Sequence, residues 1–129
     1  MALSLAIDGN RYTDFAQGIR QAVEVLSSAD AINMPFVVAA ALRAGFRGGS
    51  RGADNERQLT RFLQRPRVSL LFPDAATTHY YTTVYLDLRR AGTPIPTNDI
   101  WIAALVLQHD LVLFTRDGHF DRIPRIPCV

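Results

Sequence analysis

Apolar residues in this chain fall into short runs of strand length, separated by longer stretches with helical spacing. The short runs are residues 3–7, 30–34, 68–72 and 111–114, and residues 126–129 are a candidate for a small edge strand. Between them, apolar residues recur every three or four positions, as on one face of a helix. Such stretches cover residues 11–18 (a short helix or turn), 19–28, 35–45, 55–64, 74–90 and 97–107. Strands that alternate with helices predict an α/β fold with a parallel sheet of four to five strands and helices on both faces.

The length and composition are those of a globular protein. The 129 residues fit one domain, and 48% of them are hydrophobic. No apolar run approaches the roughly 20 residues of a membrane-spanning helix, and the first residues lack the features of a signal peptide. Cys128 is the single cysteine, which excludes an intrachain disulfide. We expect a cytoplasmic protein that forms one domain over residues 1–129 and does not contact membranes.

The basic residues are all arginine. The chain has 14 arginines and no lysine, and seven arginines lie between Arg43 and Arg67, where Asp54 and Glu56 are the only acids. A high-GC coding bias accounts for the missing lysine. The clustering favours an anionic partner, because arginine makes bidentate contacts with phosphate.

Three acids occupy related positions in the predicted fold. Asp8 follows the first strand, Asp117 follows the fourth strand, and Asp99 lies in the first turn of the preceding helix. If the first and fourth strands are neighbours, these carboxylates converge at one edge of the sheet, where ligands bind in α/β proteins. Crowded carboxylates repel one another unless a cation joins them, and oxygen ligands suit Mg²⁺ or Mn²⁺. The chemistry indicated is metal-assisted hydrolysis of a phosphodiester.

Each acid also has a purely structural interpretation. Asp8-Gly9 and Asp117-Gly118 are common turn sequences, and Asp99 is favourable near a helix N-terminus. For each acid considered alone, the structural interpretation is stronger than the catalytic one. The catalytic hypothesis gains weight because one topology brings all three acids together.

Three segments resemble the PIN-domain ribonucleases, in particular the VapC toxins of bacterial toxin–antitoxin pairs. The segments are Ile7-Asp-Gly-Asn10, Pro96-Thr-Asn-Asp99 with the following Ile-Trp-Ile-Ala-Ala, and Thr115-Arg-Asp-Gly-His-Phe-Asp-Arg-Ile-Pro124. The resemblance covers nearly the whole chain in order and spacing. It implies a three-layer α/β/α sandwich, an RNA-cleaving hydrolase that uses Mg²⁺ or Mn²⁺, a homodimer, and a VapB-type antitoxin that fills the active-site groove.

The resemblance also implies roles for individual residues. Asp8, Asp99 and Asp117 would be catalytic metal ligands. Residues that would orient them by hydrogen bonds are Asn10, Asn98 and Thr115. Asp121 is a weaker candidate for an additional acid, because Asp-Arg-Ile-Pro is also a turn sequence.

Two departures from the family pattern bear on activity. Gly9 stands where the family commonly has Thr, which removes a hydroxyl and is expected to loosen the turn. Ala41 stands where VapC proteins carry a catalytic Glu, and residues 31–53 contain no other acid. We therefore predict weak metal binding and little or no RNA cleavage. The sequence does not distinguish natural loss of this Glu from a deliberate substitution that makes a toxic nuclease harmless.

Other side chains are candidates for RNA or subunit contacts. Sequence-independent RNA affinity comes mainly from phosphate neutralisation, and the arginines expected near the site are Arg43, Arg47, Arg51 and Arg116. Bases could stack on Trp101, Tyr80 and Tyr81, although packing in the core or a dimer interface is favoured for most of them. The histidines, His79, His109 and His119, lack metal-ligand spacing and are interpreted as surface or loop residues. Dimer contacts are expected from helices 55–64 and 74–90.

Two other functions fit part of the sequence. A receiver-type signalling domain has similar length and clustered acids but needs a lysine after its last strand, and this chain has none. A PIN scaffold without catalytic activity, which only binds antitoxin or RNA, is compatible with Ala41.

Overall fold

The computed structural model describes residues 3–129, which form an α/β sandwich of a four-stranded parallel sheet flanked by six helices. The strands are β1 (Ser4–Ile7), β2 (Ala31–Pro35), β3 (Val68–Leu71) and β4 (Val112–Phe114). The helices are α1 (Gly9–Ala16), α2 (Arg20–Ser28), α3 (Phe36–Arg47), α4 (Gly52–Leu63), α5 (Thr77–Ala91) and α6 (Thr97–Gln108), and a 3₁₀ helix covers Gly118–Arg122.

The strand order is β3-β2-β1-β4, so β1 is a central strand. The chain passes from β1 to β2 on one side, and β4 later pairs with β1 on the other, where Ile7 lies opposite Phe114. A position at which the strand order reverses in this way opens a crevice beyond the carboxyl ends of the strands. The first and fourth strands are therefore neighbours, which was the condition for their acids to converge, although β4 is an edge strand of the described sheet.

The core surrounds β1 and β4. Leu5, Ile7, Leu113 and Phe114 are fully buried. Strands buried on both faces require near-continuous apolar sequences, as in the two runs that predicted them. The fold class predicted from the sequence is confirmed.

Helix α6 is more buried than its sequence pattern suggested. The expected inward face was Ile100, Ala103, Ala104 and Leu107, but Leu107 is only half-buried. Buried residues lie on every side of the helix: Ile100, Ile102, Ala103, Ala104, Leu105 and Val106. A helix that is apolar all round is an interior helix. Packing on all sides fixes the position of α6, and with it the position of Asp99 in its first turn.

Several predicted boundaries were wrong. Helix α1 begins at Gly9 and not at residue 11, α4 begins at Gly52, and α5 begins at Thr77 and not at residue 74. Gly45 does not end α3, which continues to Arg47. Residues 126–129 form only one bridge, between Cys128 and Leu113, and not a strand. Within residues 3–129, none of the helices has the length and apolar character needed to cross a membrane.

Candidate active site

A cleft of about 270 Å³ opens beyond the carboxyl end of β1. Its lining combines acids and amides with apolar side chains from α3 and α6: Asp8, Gly9, Asn10, Thr13, Val37, Val38, Ala41, Leu42, Asn98, Asp99 and Ile102. The cleft therefore contains two of the predicted acids and the position at which the family pattern has Glu.

Asp8 is the N-cap of α1. Its backbone is extended, with φ −84° and ψ 159°. One carboxylate oxygen accepts a hydrogen bond from the Gly9 N–H at 2.8 Å, and the other accepts from the Thr115 hydroxyl at 2.7 Å. Asp-Gly-Asn is consequently a helix start and not a loose turn, so the effect expected from Gly9 on a turn does not arise. A side-chain Cβ at Gly9 would make ordinary contacts of 3.8 Å with Leu42 and Val38.

The Thr115 hydroxyl connects the first and last site segments. It donates to Asp8 and accepts from the Asp117 backbone N–H at 2.9 Å and from the Asn10 side-chain amide at 3.4 Å. A hydroxyl has one donor and two acceptor positions, so its capacity is fully used. The Asn10 side-chain oxygen accepts from the Arg116 backbone N–H at 3.1 Å. These bonds hold the segment after β4 against the start of α1.

Asp99 and Asp117 meet at His119. The Nδ1 atom of His119 lies 2.9 Å from an Asp99 carboxylate oxygen and 3.3 Å from an Asp117 oxygen. Asp117 also accepts the His119 backbone N–H at 2.9 Å, which starts the 3₁₀ helix. One ligand atom from each of the three residues lies within 4.8 Å of the others. His119, which sequence reasoning assigned to the surface, is therefore part of the acid cluster.

The pKa of the Asp99 carboxyl is raised above its ordinary value. Desolvation by burial is the main cause, and the hydrogen bond from His119 opposes it. Repulsion from Asp117 and Asp8 adds to the rise. The surrounding protein therefore disfavours the ionised form of Asp99, and a bound cation would stabilise that form.

Asp14 of α1 also holds the segment after β4 in place, through Arg116. Its carboxylate accepts two hydrogen bonds from the Arg116 guanidinium, at 2.9 and 3.0 Å, and a third from Arg11 at 3.3 Å. Arg11 lies over the Phe114 ring, 4.7 Å from its centroid. The Arg116 hydrogen bond is the main reason that the pKa of Asp14 is lowered from its ordinary value.

The PIN domain family model matches residues 14–126. Ribonuclease VapC1 of Haemophilus influenzae (strain R2866) is 32% identical over 108 residues, which cover 81% of this chain and 78% of that protein. The chain belongs to the PIN-domain family, in its VapC group. Ribonuclease VapC4 of Mycobacterium tuberculosis is 27% identical over 88 residues, 68% of each chain.

Solved VapC-containing structures share the fold. The structure of VapBC-1 from nontypeable Haemophilus influenzae has a TM-score of 0.86 at 24% identity, over 98% of this chain and 97% of that one. VapBC2 from Rickettsia felis, bound to a DNA fragment from its promoter, gives 0.85 at 23% identity and 98% coverage of both chains. The resemblance first noted in three sequence segments therefore extends to the complete PIN fold.

Ala41 occupies the cleft wall of this PIN domain. It lies on α3 beside Leu42 and lines the same cleft as Asp8, at the start of α1, and Asp99 of α6. A methyl group offers no ligand to a cation. Asn98 also lines the cleft, and none of the hydrogen bonds described within residues 3–129 links its side chain to a carboxylate. Its role as an orienting residue stays a prediction.

The four arginines predicted to bind RNA differ in their surroundings. Arg43 donates to both carboxylate oxygens of Glu56, at 2.8 and 3.3 Å. Arg116 is held by Asp14. Arg47 and Arg51 are exposed and line two pockets beside the α3–α4 connection. Sequence position alone did not indicate these two ion pairs, because both partners come from other elements.

Trp101 and Asp121 are the remaining candidates from the sequence. Trp101 packs on Tyr81 with ring centroids 4.4 Å apart, which favours the packing interpretation over base stacking. Asp121 is exposed, and its charge raises the pKa of the Cys128 thiol after the larger effect of burial.

Proposed function

We propose that this chain is the toxin component of a toxin–antitoxin module, with a centre for hydrolysing RNA phosphodiester bonds with Mg²⁺ or Mn²⁺. The observation that supports the proposal is the proximity of three acids from separate segments of a PIN domain: Asp8 and Asp99 line one cleft, and Asp117 lies close to Asp99 beside His119. VapC relatives that are named ribonucleases support the substrate class.

The donor set fits a divalent cation. Asp99 and Asp117 present oxygen atoms within 4.8 Å of each other. Burial, and after it repulsion from Asp117 and Asp8, raises the pKa of Asp99, so its ionised form would be stabilised by a cation. Carboxylate oxygens are the ligands that Mg²⁺ and Mn²⁺ prefer. When bound, such an ion would activate water and neutralise charge on the phosphate.

The protein side chains contribute by holding the acids in place. Asp8, which lines the cleft, is held by hydrogen bonds from the Gly9 N–H and the Thr115 hydroxyl. Thr115 and Asn10 set the path of the backbone that carries Asp117. Loss of such orienting hydrogen bonds typically lowers metal affinity or activity by roughly ten- to a hundredfold.

Ala41 limits this activity. The three acids are expected to bind the cation weakly and to cleave RNA slowly, because the carboxylate that the family places on α3 is replaced by a methyl group. A chain that keeps the fold but only binds antitoxin or RNA is the alternative, and Ala41 is the observation that favours it.

We also infer two protein partners. Solved relatives are VapBC toxin–antitoxin complexes, so a VapB-type antitoxin is the expected inhibitor of this chain. A second copy of the chain is the other partner. Its contact surface is an aromatic row formed by Phe72, Phe36, Trp101, Tyr81 and Tyr85, whose neighbouring ring centroids are 4.4–6.4 Å apart.

The aromatic row is exposed at both ends. Phe72 is 63% exposed and Tyr85 is 42% exposed. Paired copies would cover these rings. Helix α4, the other predicted dimer element, instead buries Leu59 and Phe62 in the core of its own chain.

Calorimetric titration with Mn²⁺ tests the metal centre. We expect weak binding by the chain and at least about tenfold weaker binding after Asp117→Asn or Asp8→Asn, because each substitution removes a negative charge from the site. Asp87→Asn serves as the matched control, since Asp87 lies on α5 and forms an exposed ion pair with Arg125. Equal binding by all four proteins would contradict the proposed centre.

A further inference from the structure

His119 places an imidazole nitrogen between two carboxylates that come from distant parts of the chain. Asp99 is carried by the buried helix α6, and Asp117 directly precedes the 3₁₀ helix that carries His119. The Nδ1 atom lies 2.9 Å from one and 3.3 Å from the other. The His119 side chain is 40% exposed, so solvent ions can reach it.

These separations suit ligands of one cation. Two neighbouring ligands of an octahedral ion, each about 2.1 Å from it, are about 3 Å apart. The His119 nitrogen is at about this distance from both carboxylates. Asp8 is outside this group of ligand atoms, and both of its oxygens already accept hydrogen bonds from the protein.

We propose that Nδ1 of His119 is a metal ligand in this chain and completes a centre with Asp99 and Asp117. This inference rests on the proposed metal-dependent function and specifies its ligands. The coordinating imidazole is neutral, with its proton on Nε2. Two carboxylates and one neutral nitrogen match the charge of a divalent ion without a contribution from α3, where Ala41 supplies none.

The nitrogen ligand has a consequence for metal choice. Mg²⁺ strongly prefers oxygen ligands, whereas imidazole suits transition-metal ions. Mn²⁺ accepts both oxygen and nitrogen ligands, so of the two ions proposed for this site its affinity is expected to increase more through His119. The chain should therefore bind Mn²⁺ in preference to Mg²⁺, and His119 should be the cause of that preference.

Electron paramagnetic resonance with Mn²⁺ tests the ligand directly. Pulsed measurements on the full chain should detect coupling of bound Mn²⁺ to a directly coordinated ¹⁴N nucleus, and His119→Ala and His119→Gln should abolish it. Titration of the free-Mn²⁺ signal should show at least about tenfold weaker binding in both variants, with a smaller change for Mg²⁺ in competition. His109→Ala is the matched control, because His109 lies at the opposite end of α6.

The variants separate this inference from the proposed function. Mn²⁺ binding that Asp117→Asn weakens, but without nitrogen coupling and without an effect of either His119 variant, would overturn the role of His119 and leave the metal centre standing. That result is expected if His119 is an imidazolium paired with two carboxylates. Mn²⁺ binding insensitive to Asp117→Asn would overturn both proposals. Circular dichroism of each variant confirms that the comparison concerns folded protein.

Discussion

The Asp14 carboxylate accepts hydrogen bonds from two arginines that belong to different elements. Arg11 comes from α1, as does Asp14 itself, and Arg116 lies between the two site residues Thr115 and Asp117. Asp14 is only 8% exposed. This single residue therefore connects the folding of α1 with the position of the site segment after β4.

The stability contributed by Asp14 depends on pH. Its pKa in the folded protein lies below the ordinary value of 3.8, chiefly because Arg116 donates to it. A group with a lowered folded-state pKa stabilises the fold above its unfolded-state pKa, and this contribution disappears as the pH falls through the folded-state pKa.

We expect Asp14→Asn to lower the melting temperature at neutral pH and to have a progressively smaller effect below about pH 4. Thermal unfolding followed by circular dichroism across this range measures the difference. Asp87→Asn is the control, because Asp87 forms an exposed ion pair with Arg125, and such pairs contribute little. A deficit in Asp14→Asn that is the same at acidic and neutral pH would indicate a packing effect and contradict this account.

At the scale of elements, two glycines that look alike in the sequence have different backbone conformations. Gly92 ends α5 with φ 68°, in the left-handed region. Gly45 was predicted to end α3 in the same way, yet it lies inside that helix, and a Cβ there would meet no atom within 4 Å.

Alanine substitutions distinguish the two positions. Gly92→Ala should destabilise the protein by about 1–2 kcal/mol, because a Cβ is strained in the left-handed conformation. Gly45→Ala should stabilise it by about 0.5–1 kcal/mol, because alanine has the higher helix propensity. Denaturant unfolding measures both changes. If the two substitutions shifted stability in the same direction, the assigned ends of α3 or α5 would be incorrect.

The elements that sequence could predict were those whose environment is fixed by local pattern. The apolar runs of β1 and β4 predicted buried strands, and their pairing in the sheet brings the ends that carry Asp8 and Asp117 together. The contact of His119 with Asp99 could not be read in this way, because it depends on a 3₁₀ turn and on the packing of α6. A histidine two residues after an acid, as in Asp117-Gly-His119, is a sequence signal for such a contact, but the spacing between histidines does not reveal it.

At the scale of the molecule, the aromatic row on α3, α5, α6 and the β3–α5 connection is the feature that favours self-association. Phe72 and Tyr85 expose large apolar side chains at its two ends. Surface apolar patches of this kind mark protein–protein contacts, and symmetric dimers are the commonest assembly of a single chain.

We expect the chain to be a dimer in solution and Tyr85→Glu to shift it toward monomer, because the substitution places a charge in the covered surface. Analytical ultracentrifugation over a range of concentrations measures the shift. Val23→Glu on α2 is the matched control, since Val23 is 37% exposed and lies outside the aromatic row. A monomeric parent chain, or equal dissociation of both variants, would contradict the proposed interface.

The proposed metal centre has three acids but lacks the carboxylate that the family pattern places on α3. Asp8, Asp99 and Ala41 line the cleft, and Asp117 lies beside Asp99, so α3 presents a methyl group where the family pattern has a carboxylate. Activity should therefore be limited by one side chain and not by the fold.

The most direct measurement is Mn²⁺-dependent cleavage of RNA by three proteins: this chain, its Ala41→Glu variant, and the double variant Ala41→Glu/Asp117→Asn. We predict little or no cleavage by the parent, a gain of at least about a hundredfold in Ala41→Glu because a charged ligand is added, and loss of that gain in the double variant or after chelation of the metal. Cleavage by Ala41→Glu no faster than by the parent, or a gain that survives Asp117→Asn, would contradict the account.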